Sequence, residues 1–425
     1  MAPVFDLESA FAIARTSVAA KLSPVPNDDA DLVETGALDS MAWVDVLLGI
    51  ESATVIRDFG NPWPENRPKS IRVLAEMIRE AQRVSTGEGA RADLRSQTRR
   101  DGRISITGWA YSLGSRTLSA EQIERDLALP THKIRDGAGI SRVCRAADTE
   151  DELTLAQRAS DIALEMASVP VEDINLLVAT SATFCGYPSF GASLHSRLLL
   201  PETSGVLDVG GACAGLIYSL SVAKSLLCTS SQSVALVVAS EVHSRRLNAP
   251  QVPGEFRGLF GDGACALVLT NGGDAERNSK LSLRDFVSGC SGTFASSLGV
   301  ELTENGSLGI QFKGEQLAHA ALTQLDRIIG NLENLSAKPR SEVDYFALHQ
   351  PNPRVVEILA ERAKIPLERI PLVSKACGNL GSVTCGVSLC QALTSLRVNE
   401  DHSRVPLIFM AAVAPGLLWG GAFLN

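Results

Sequence analysis

From Ile104 onward the chain lays down one order of apolar segments twice. Strand-like Ile104 to Ala110 is matched by Leu281 to Val287. The helical pattern Leu153 to Ala167, running into Ile174 to Ala179, is matched by Gly314 to Leu332 running into Val343 to Leu348. The segment around Cys213 is matched by Ile370 to Leu393, each read as a strand, a small-residue turn and a helix. Val234 to Ala239 pairs with Val405 to Ala411, and Cys265 to Leu269 with Trp419 to Leu424. Strands alternating with helices predict an α/β fold with buried sheets. The duplication predicts two halves, 104–280 and 281–425, packed like against like about a pseudo-twofold axis. The turns at Cys213 and Gly378-Asn379, and the loop from His349, then converge near that axis, bringing a thiol, an imidazole and an amide into one cavity.

The stretch Leu207 to Leu226, LDVGGACAGLIYSLSVAKSL, carries the reactive candidate. An apolar strand runs into Gly210, Gly211 and Ala212, then Cys213, then a helix. Small neighbours let a thioester approach the sulfur, and a helix N-terminus favours a thiolate. The same pattern also fits a small buried hydrophobe.

Composition narrows the class. A chain of 425 residues can hold two or three domains, and a net charge of −9 argues against nucleic acid as a partner. Nine cysteines without a CxxC pair, and six scattered histidines, predict a reducing compartment with neither metal site nor disulfide framework. The N-terminus has no basic region followed by an apolar one, and no uninterrupted apolar run approaches membrane-spanning length, so a soluble cytoplasmic protein is expected.

Residues 1–85 read as a separate all-α bundle: helices over Asp6 to Leu22, after Ser40, and from Ser70 to Ala81. The stretch GALDSMAWVDVLLGIE resembles the prosthetic-group site of acyl and peptidyl carrier proteins, with Asp39-Ser40-Met41 at the family's Asp-Ser-Leu. That resemblance implies 4'-phosphopantetheine on Ser40 and a phosphopantetheinyl transferase as partner. A serine at a helix N-terminus suits a phosphate, and it is also an ordinary helix cap. Residues 86–103, rich in arginine and poor in large apolar side chains, read as a linker that raises the local concentration of a carrier thiol.

Over its whole length, the region from residue 104 is similar to ketoacyl-acyl-carrier-protein synthase III, a member of the thiolase fold. The matching pieces are Gly139-Ile140-Ser141-Arg142-Val143, the nucleophile turn, Phe260-Gly261-Asp262-Gly263-Ala264, His349-Gln350-Pro351-Asn352 and Gly378-Asn379. The resemblance implies a duplicated five-layer αβαβα fold, a homodimer, and the catalytic triad Cys213, His349 and Asn379. Cys213 would take an acyl group from a coenzyme A or carrier thioester donor, while His349 and Asn379 hold a malonyl thioester through decarboxylative Claisen condensation. Asn352 would brace the His349 loop or cap the next helix, and Arg354 falls where the family has a basic residue near its carrier-docking face. The fused carrier implies a dedicated fatty-acid or polyketide pathway.

Two departures open an alternative. Pro415 stands where the family's oxyanion-hole glycine lies, and proline has no N–H, leaving Gly416 as the substitute donor. His132 stands where the family has a coenzyme-A-stacking tryptophan. These keep open an acyltransferase that passes the acyl group from Cys213 to an alcohol, an amine or a second carrier without decarboxylation. A hydroxymethylglutaryl-coenzyme A synthase would need a glutamate base where Ser181 stands, and a non-enzymatic scaffold would have no need of the triad. The other histidines, His195, His243, His319 and His402 as well as His132, read as surface or satisfied core residues.

Overall fold

In a computed structural model of the chain, the described residues are 7–22, 24–30, 32, 40–53, 70–85, 104–229, 233–248, 252–271, 281–292, 294, 298–302, 308–312, 314–398 and 405–425. The chain divides into two compact units: residues 1–98 with 291–299 and 311–323, and residues 99–290 with 300–310 and 324–425.

The first unit contains α1 (Leu7–Ala19), α2 (Ser40–Ala53) and α3 (Ile71–Ser85). Helical spacing puts Ala10, Ala14 and Val18 of α1 on one face, buried with Val46, Leu47 and Ile50 of α2 and Ile71, Leu74, Ala75 and Ile78 of α3. Exposed ion pairs from Arg15 to Asp28 and from Arg72 to Asp29 tie the loop after α1 back to the helices. Ser40 opens α2. Its side chain, Asp39 and the linker 86–103 lie outside the described residues.

The second unit is built on two sheets. The first contains β1 (Ile104–Leu113), β4 (Leu176–Thr180), β5 (Gly205–Asp208), β6 (Val234–Val242) and β7 (Asp262–Asn271) in the order β1-β7-β6-β4-β5. Between them in the chain, β2 (Arg116–Ser119) pairs with β3 (Arg142–Arg145). The second sheet contains β8 (Leu283–Cys290), β11 (Tyr345–Leu348), β12 (Ile408–Ala414) and β13 (Leu418–Leu424) in the order β11-β12-β13-β8, and β9 (Leu298–Leu302) pairs with β10 (Leu308–Phe312). The helices are α4 (Ala120–Asp126), α5 (Glu152–Ala167), α6 (Phe190–Arg197), α7 (Gly215–Thr229), α8 (Gly314–Ser336), α9 (Pro353–Ala363) and α10 (Thr384–Val398), with shorter turns between.

Matching β1 to β8, β4 to β11, β6 to β12 and β7 to β13 makes the duplication explicit. The expected second-half strand at Ile370 does not form: a short helix, Ser374–Cys377, follows Ile370-Pro371-Leu372-Val373 instead. Pro371 lacks the N–H a ladder needs, and its carbonyl accepts from the Gln350 side chain at 2.7 Å.

Helices α7 and α10 lie in one apolar core with side chains from both sheets, while α5 and α6 cover the opposite face of the first sheet. On the second sheet's other face, Ile328 and Leu332 of α8 pack at Gly421. Burial on both faces explains why β4, β6 and β7 read as near-continuous apolar runs. It also qualifies the expectation about membranes. The helical stretch Ala212–Thr229 has the length and apolarity of a membrane span. Leu216, Ile217, Leu220, Ala223 and Leu227 are nevertheless buried in the shared core, and Lys224 Nζ donates to the Arg284 carbonyl at 2.7 Å.

Candidate active site

Strand β5 pairs in parallel with β4 and delivers the chain through Gly210 and Gly211 into a 3-10 turn, Ala212–Ala214, ahead of α7. Ala212 sits at φ +44°, a left-handed conformation costly for most side chains, which suits the small residue found there. This turn packs against Gly381–Val383 and against β12, so Cys213 lies where the two halves meet. Burial at this turn works against the thiolate that a helix N-terminus favours. Desolvation, then the charge of Glu241, then Cys385 push the Cys213 thiol up to about 12.

His349 follows β11, its N–H bonding the Ala411 carbonyl at 2.8 Å. Its ring is buried, which lowers its pKa to about 4, with His243 acting in the same direction against a bond to the Gly381 backbone. Among the described residues, its Nδ1 has no hydrogen-bond partner. The resting pair is therefore a neutral thiol and a neutral imidazole. Gln350, fully buried, accepts from Ser374 N (3.1 Å) and Ser374 Oγ (3.2 Å) through Oε1 and donates to Pro371, joining the His349 loop to the segment leading to Asn379. Asn352 caps α9, its Oδ1 accepting from Val355 N at 2.9 Å with Pro353 in the first turn. Arg354 is exposed on α9, with Glu357 at 3.5 Å.

Asn379 is held by its backbone: its N–H bonds the Leu259 carbonyl at 2.8 Å, and its carbonyl accepts from Gly261 N at 3.0 Å. A Cβ on Gly261 would lie 2.0 Å from the Cys377 carbonyl oxygen, so only glycine permits this approach. The Asn379 Oδ1 accepts from Gly381 N at 2.9 Å, which orients the amide and leaves Nδ2 as its donor end. Gly381 is thus the hub: it bonds Asn379, acts on His349, and begins the turn that meets the Cys213 turn.

The sequence reading missed Glu241 and assigned no role to His243. Glu241 is fully buried on β6, and its oxygens accept from Ala182 N, Thr183 N and Ser382 Oγ. His243 is a satisfied core residue, with Nδ1 3.3 Å from the Gly261 carbonyl and its ring 4.7 Å from that of Phe260. The available signal was a lone carboxylate after a run of apolar residues, VALVVASEV.

Elsewhere, Arg135 pairs with Glu121 at 2.6 Å, Arg142 donates to the Ala376 carbonyl, and Arg245 donates to the Ala147 carbonyl. His132 is exposed at φ +66° on a loop whose amides at His132, Ile134 and Arg135 all donate to buried Glu124. Ser181 Oγ accepts from Phe184 N. Pro415 directly follows β12, the strand that packs against the nucleophile turn, and the carbonyl of Gly416, at φ +75°, accepts from Cys290 Sγ at 3.4 Å. His402 lies outside the described residues.

Residues 207–288 match the family model described as 3-oxoacyl-[acyl-carrier-protein] synthase III, and residues 335–425 match the model of its C-terminal part. The beta-ketoacyl-[acyl-carrier-protein] synthase III of Thioalkalivibrio sulfidiphilus is 28% identical over 329 residues, 75% of this chain and 98% of the relative. That of Xanthomonas campestris is 28% identical over 330 residues, 75% of this chain and 97% of the relative. A crystal structure of a 3-oxoacyl-(acyl-carrier-protein) synthase III superposes with TM-score 0.65 at 25% identity, covering 76% of this chain and 99% of that one. A crystal structure of an OleA variant from Xanthomonas campestris shares the fold, with TM-score 0.67 at 20% identity over 76% of this chain and 96% of that one.

Proposed function

The chain carries a ketoacyl-acyl-carrier-protein synthase III-like domain, and from that premise we propose that it forms a carbon–carbon bond by decarboxylative condensation of a Cys213-bound acyl group with a malonyl thioester. The observation that carries this reading is the meeting of the Cys213 turn with the Gly381–Val383 turn, which bonds Asn379 and acts on His349. Sγ of Cys213 attacks the donor thioester and the donor's C–S bond breaks; the proton of the neutral Cys213 thiol ends on the departing sulfur, which leaves as a free thiol. A neutral imidazole and an oriented amide are donors suited to the enolate oxygen that develops as carbon dioxide departs. That carbanion attacks the acyl carbon and releases the Cys213 sulfur. The described geometry leaves Cys213 partly buried and His349 almost wholly so, as a site that keeps water from the enolate requires.

Ser40, at the head of a helix whose first amides suit a phosphate, is proposed to hold 4'-phosphopantetheine. When bound, that group supplies a flexible thiol for the extender or product. A dimer, a dedicated biosynthetic pathway and a phosphopantetheinyl transferase partner belong to the same proposal. Pro415 favours a second reading, acyl transfer without decarboxylation, because the residue just after β12, the strand packed on the nucleophile turn, has no N–H to offer an oxyanion.

The test is mass spectrometry of the protein given a panel of acyl thioesters and a malonyl thioester. A β-ketoacyl product with carbon dioxide release, reduced at least about a thousandfold in Cys213→Ala, is expected. Acylation of Cys213 with malonyl left intact until an alcohol, amine or second carrier is added would replace condensation with the acyltransferase reading. Gain of phosphopantetheine by the Ser40 peptide, and not by Ser40→Ala, tests the carrier assignment separately.

A further inference from the structure

Glu241 is the buried group near the site that the proposed chemistry does not use. It lies on β6, from the first half, yet Ser382 Oγ, from the second half, donates to its Oε1 at 2.6 Å. Ala182 N donates at 3.1 and 3.0 Å to its two oxygens, and Thr183 N donates at 3.0 Å to Oε2. The backbone contacts are donors and none is a carbonyl that could accept a carboxylic proton, the pattern an ionised carboxylate selects. A Cβ on Gly381 would meet His243 Cε1 at 2.6 Å and Glu241 Cγ at 3.5 Å, so the carboxylate arm and the His243 ring line the wall behind the Asn379 turn.

We propose that Glu241 is a positioning residue: as a carboxylate it clamps Ser382 and hence the Asn379–Gly381 turn, and, set behind the turn that packs against the Cys213 turn, its charge governs how readily Cys213 reacts. The proposal rests on the condensing-site reading for its kinetic part only. The groups that bear on the local charge are Glu241 from β6, His243 just after it, Cys385 from α10 and His349 after β11. Burial raises the Glu241 carboxyl above its ordinary value, while His243, Ser382, the Ala182 amide and the Thr183 side chain pull the other way. The negative charge of Glu241 in turn raises the Cys213 thiol. The thiol would thus be protected from stray electrophiles at rest.

Three variants separate charge from packing: Glu241→Gln keeps the shape without the charge, Glu241→Asp keeps the charge on a shorter arm, and Ser382→Ala removes one donor. The first readout is iodoacetamide alkylation of Cys213, followed by peptide mass spectrometry between pH 7 and 9. It needs no substrate and survives a failure of the condensation reading. E241Q is expected to react about tenfold faster at a given pH, equal to a downward shift of about one unit. E241D and S382A are expected to stay within about twofold of the parent. The second readout is condensation kinetics, where E241D and S382A are expected to lower kcat about tenfold with KM little changed, because the turn loosens. Equal acceleration in E241Q and E241D would assign the effect to packing and overturn the charge role. Unchanged kcat in both E241D and S382A would overturn the clamp. Should E241Q not fold, accelerated alkylation in E241D, which retains the charge, would equally overturn the charge role.

Discussion

The two halves of the second unit share strand order up to the edge, where they part. In the first half β5 pairs with β4 from Gly205 to Asp208, so a four-residue ladder aims the chain at Cys213. In the second half Ile370 to Val373 carries Pro371, and one side chain, Gln350, replaces the ladder by bonding Pro371 and Ser374. The half that offers the nucleophile relies on distributed backbone pairing. The half that offers His349 and Asn379 relies at its edge chiefly on the Gln350 amide, with Ser388 Oγ also donating to the Pro371 carbonyl at 3.4 Å, and that amide sits next to His349 in the chain. Duplication therefore preserved the frame while the edges were adapted to different loads.

The largest effect expected from this contrast is on stability. Gln350→Ala strips partners from buried groups at Pro371 and Ser374 and should cost about 3 kcal/mol, with loss of activity before unfolding. Val206→Ala, in the β5 ladder, should cost no more than about 1.5 kcal/mol. Denaturant titration of both variants checks this, and equal costs would erase the distinction.

Next in size is Pro415→Gly, which supplies an N–H just after β12, the strand that packs against the Cys213 turn. If that position completes an oxyanion site, acylation of Cys213 in single-turnover measurements should rise by up to about a hundredfold. An unchanged rate would show that Gly416 or another donor already serves.

The smallest effect is a flat line. With Cys213 raised to about 12 and His349 lowered to about 4, neither group changes charge near neutrality. His349 should therefore add no limb to the pH profile of kcat/KM between about pH 5 and 9. The sign for stability follows from the same shift. Below the ordinary value of 6.5 the unfolded chain binds a proton that folded His349 refuses until about 4, so stability is lost as pH falls through that window. Glu150, lowered to about 2 and bonded by Arg158, Ser115 and Ala147, loses its contribution lower still, between 4.5 and 2. An acid limb near 6.5 would mean that His349 is solvated in the working enzyme.

The sequence made the repeat, the nucleophile turn and the central apolar helix legible because each rests on local pattern: alternation, small residues, helical spacing. It did not reveal the missing edge strand, since Ile370-Pro371-Leu372-Val373 has strand-like residues and only the proline argues otherwise. Nor did it reveal the raised Cys213 thiol. That shift comes first from burial and then from Glu241 and Cys385, 28 and 172 positions away in the numbering, and local pattern carries no information about such surroundings. Gln350 was in view within its motif, but its role needed the position of Pro371. The Asp39-Ser40 reading and the linker lie outside what the described residues address.

Strand β13 is late in the chain but central in its sheet, inserted between β12 and β8. During synthesis β8 emerges well before β13, its partner in the sheet, and the faces of α7 that will meet the second sheet wait with it. The nascent protein thus carries an apolar helix half covered until its last strand leaves the ribosome. Chaperone capture during that interval, rather than the stability of the finished fold, would then set how much active protein a cell recovers.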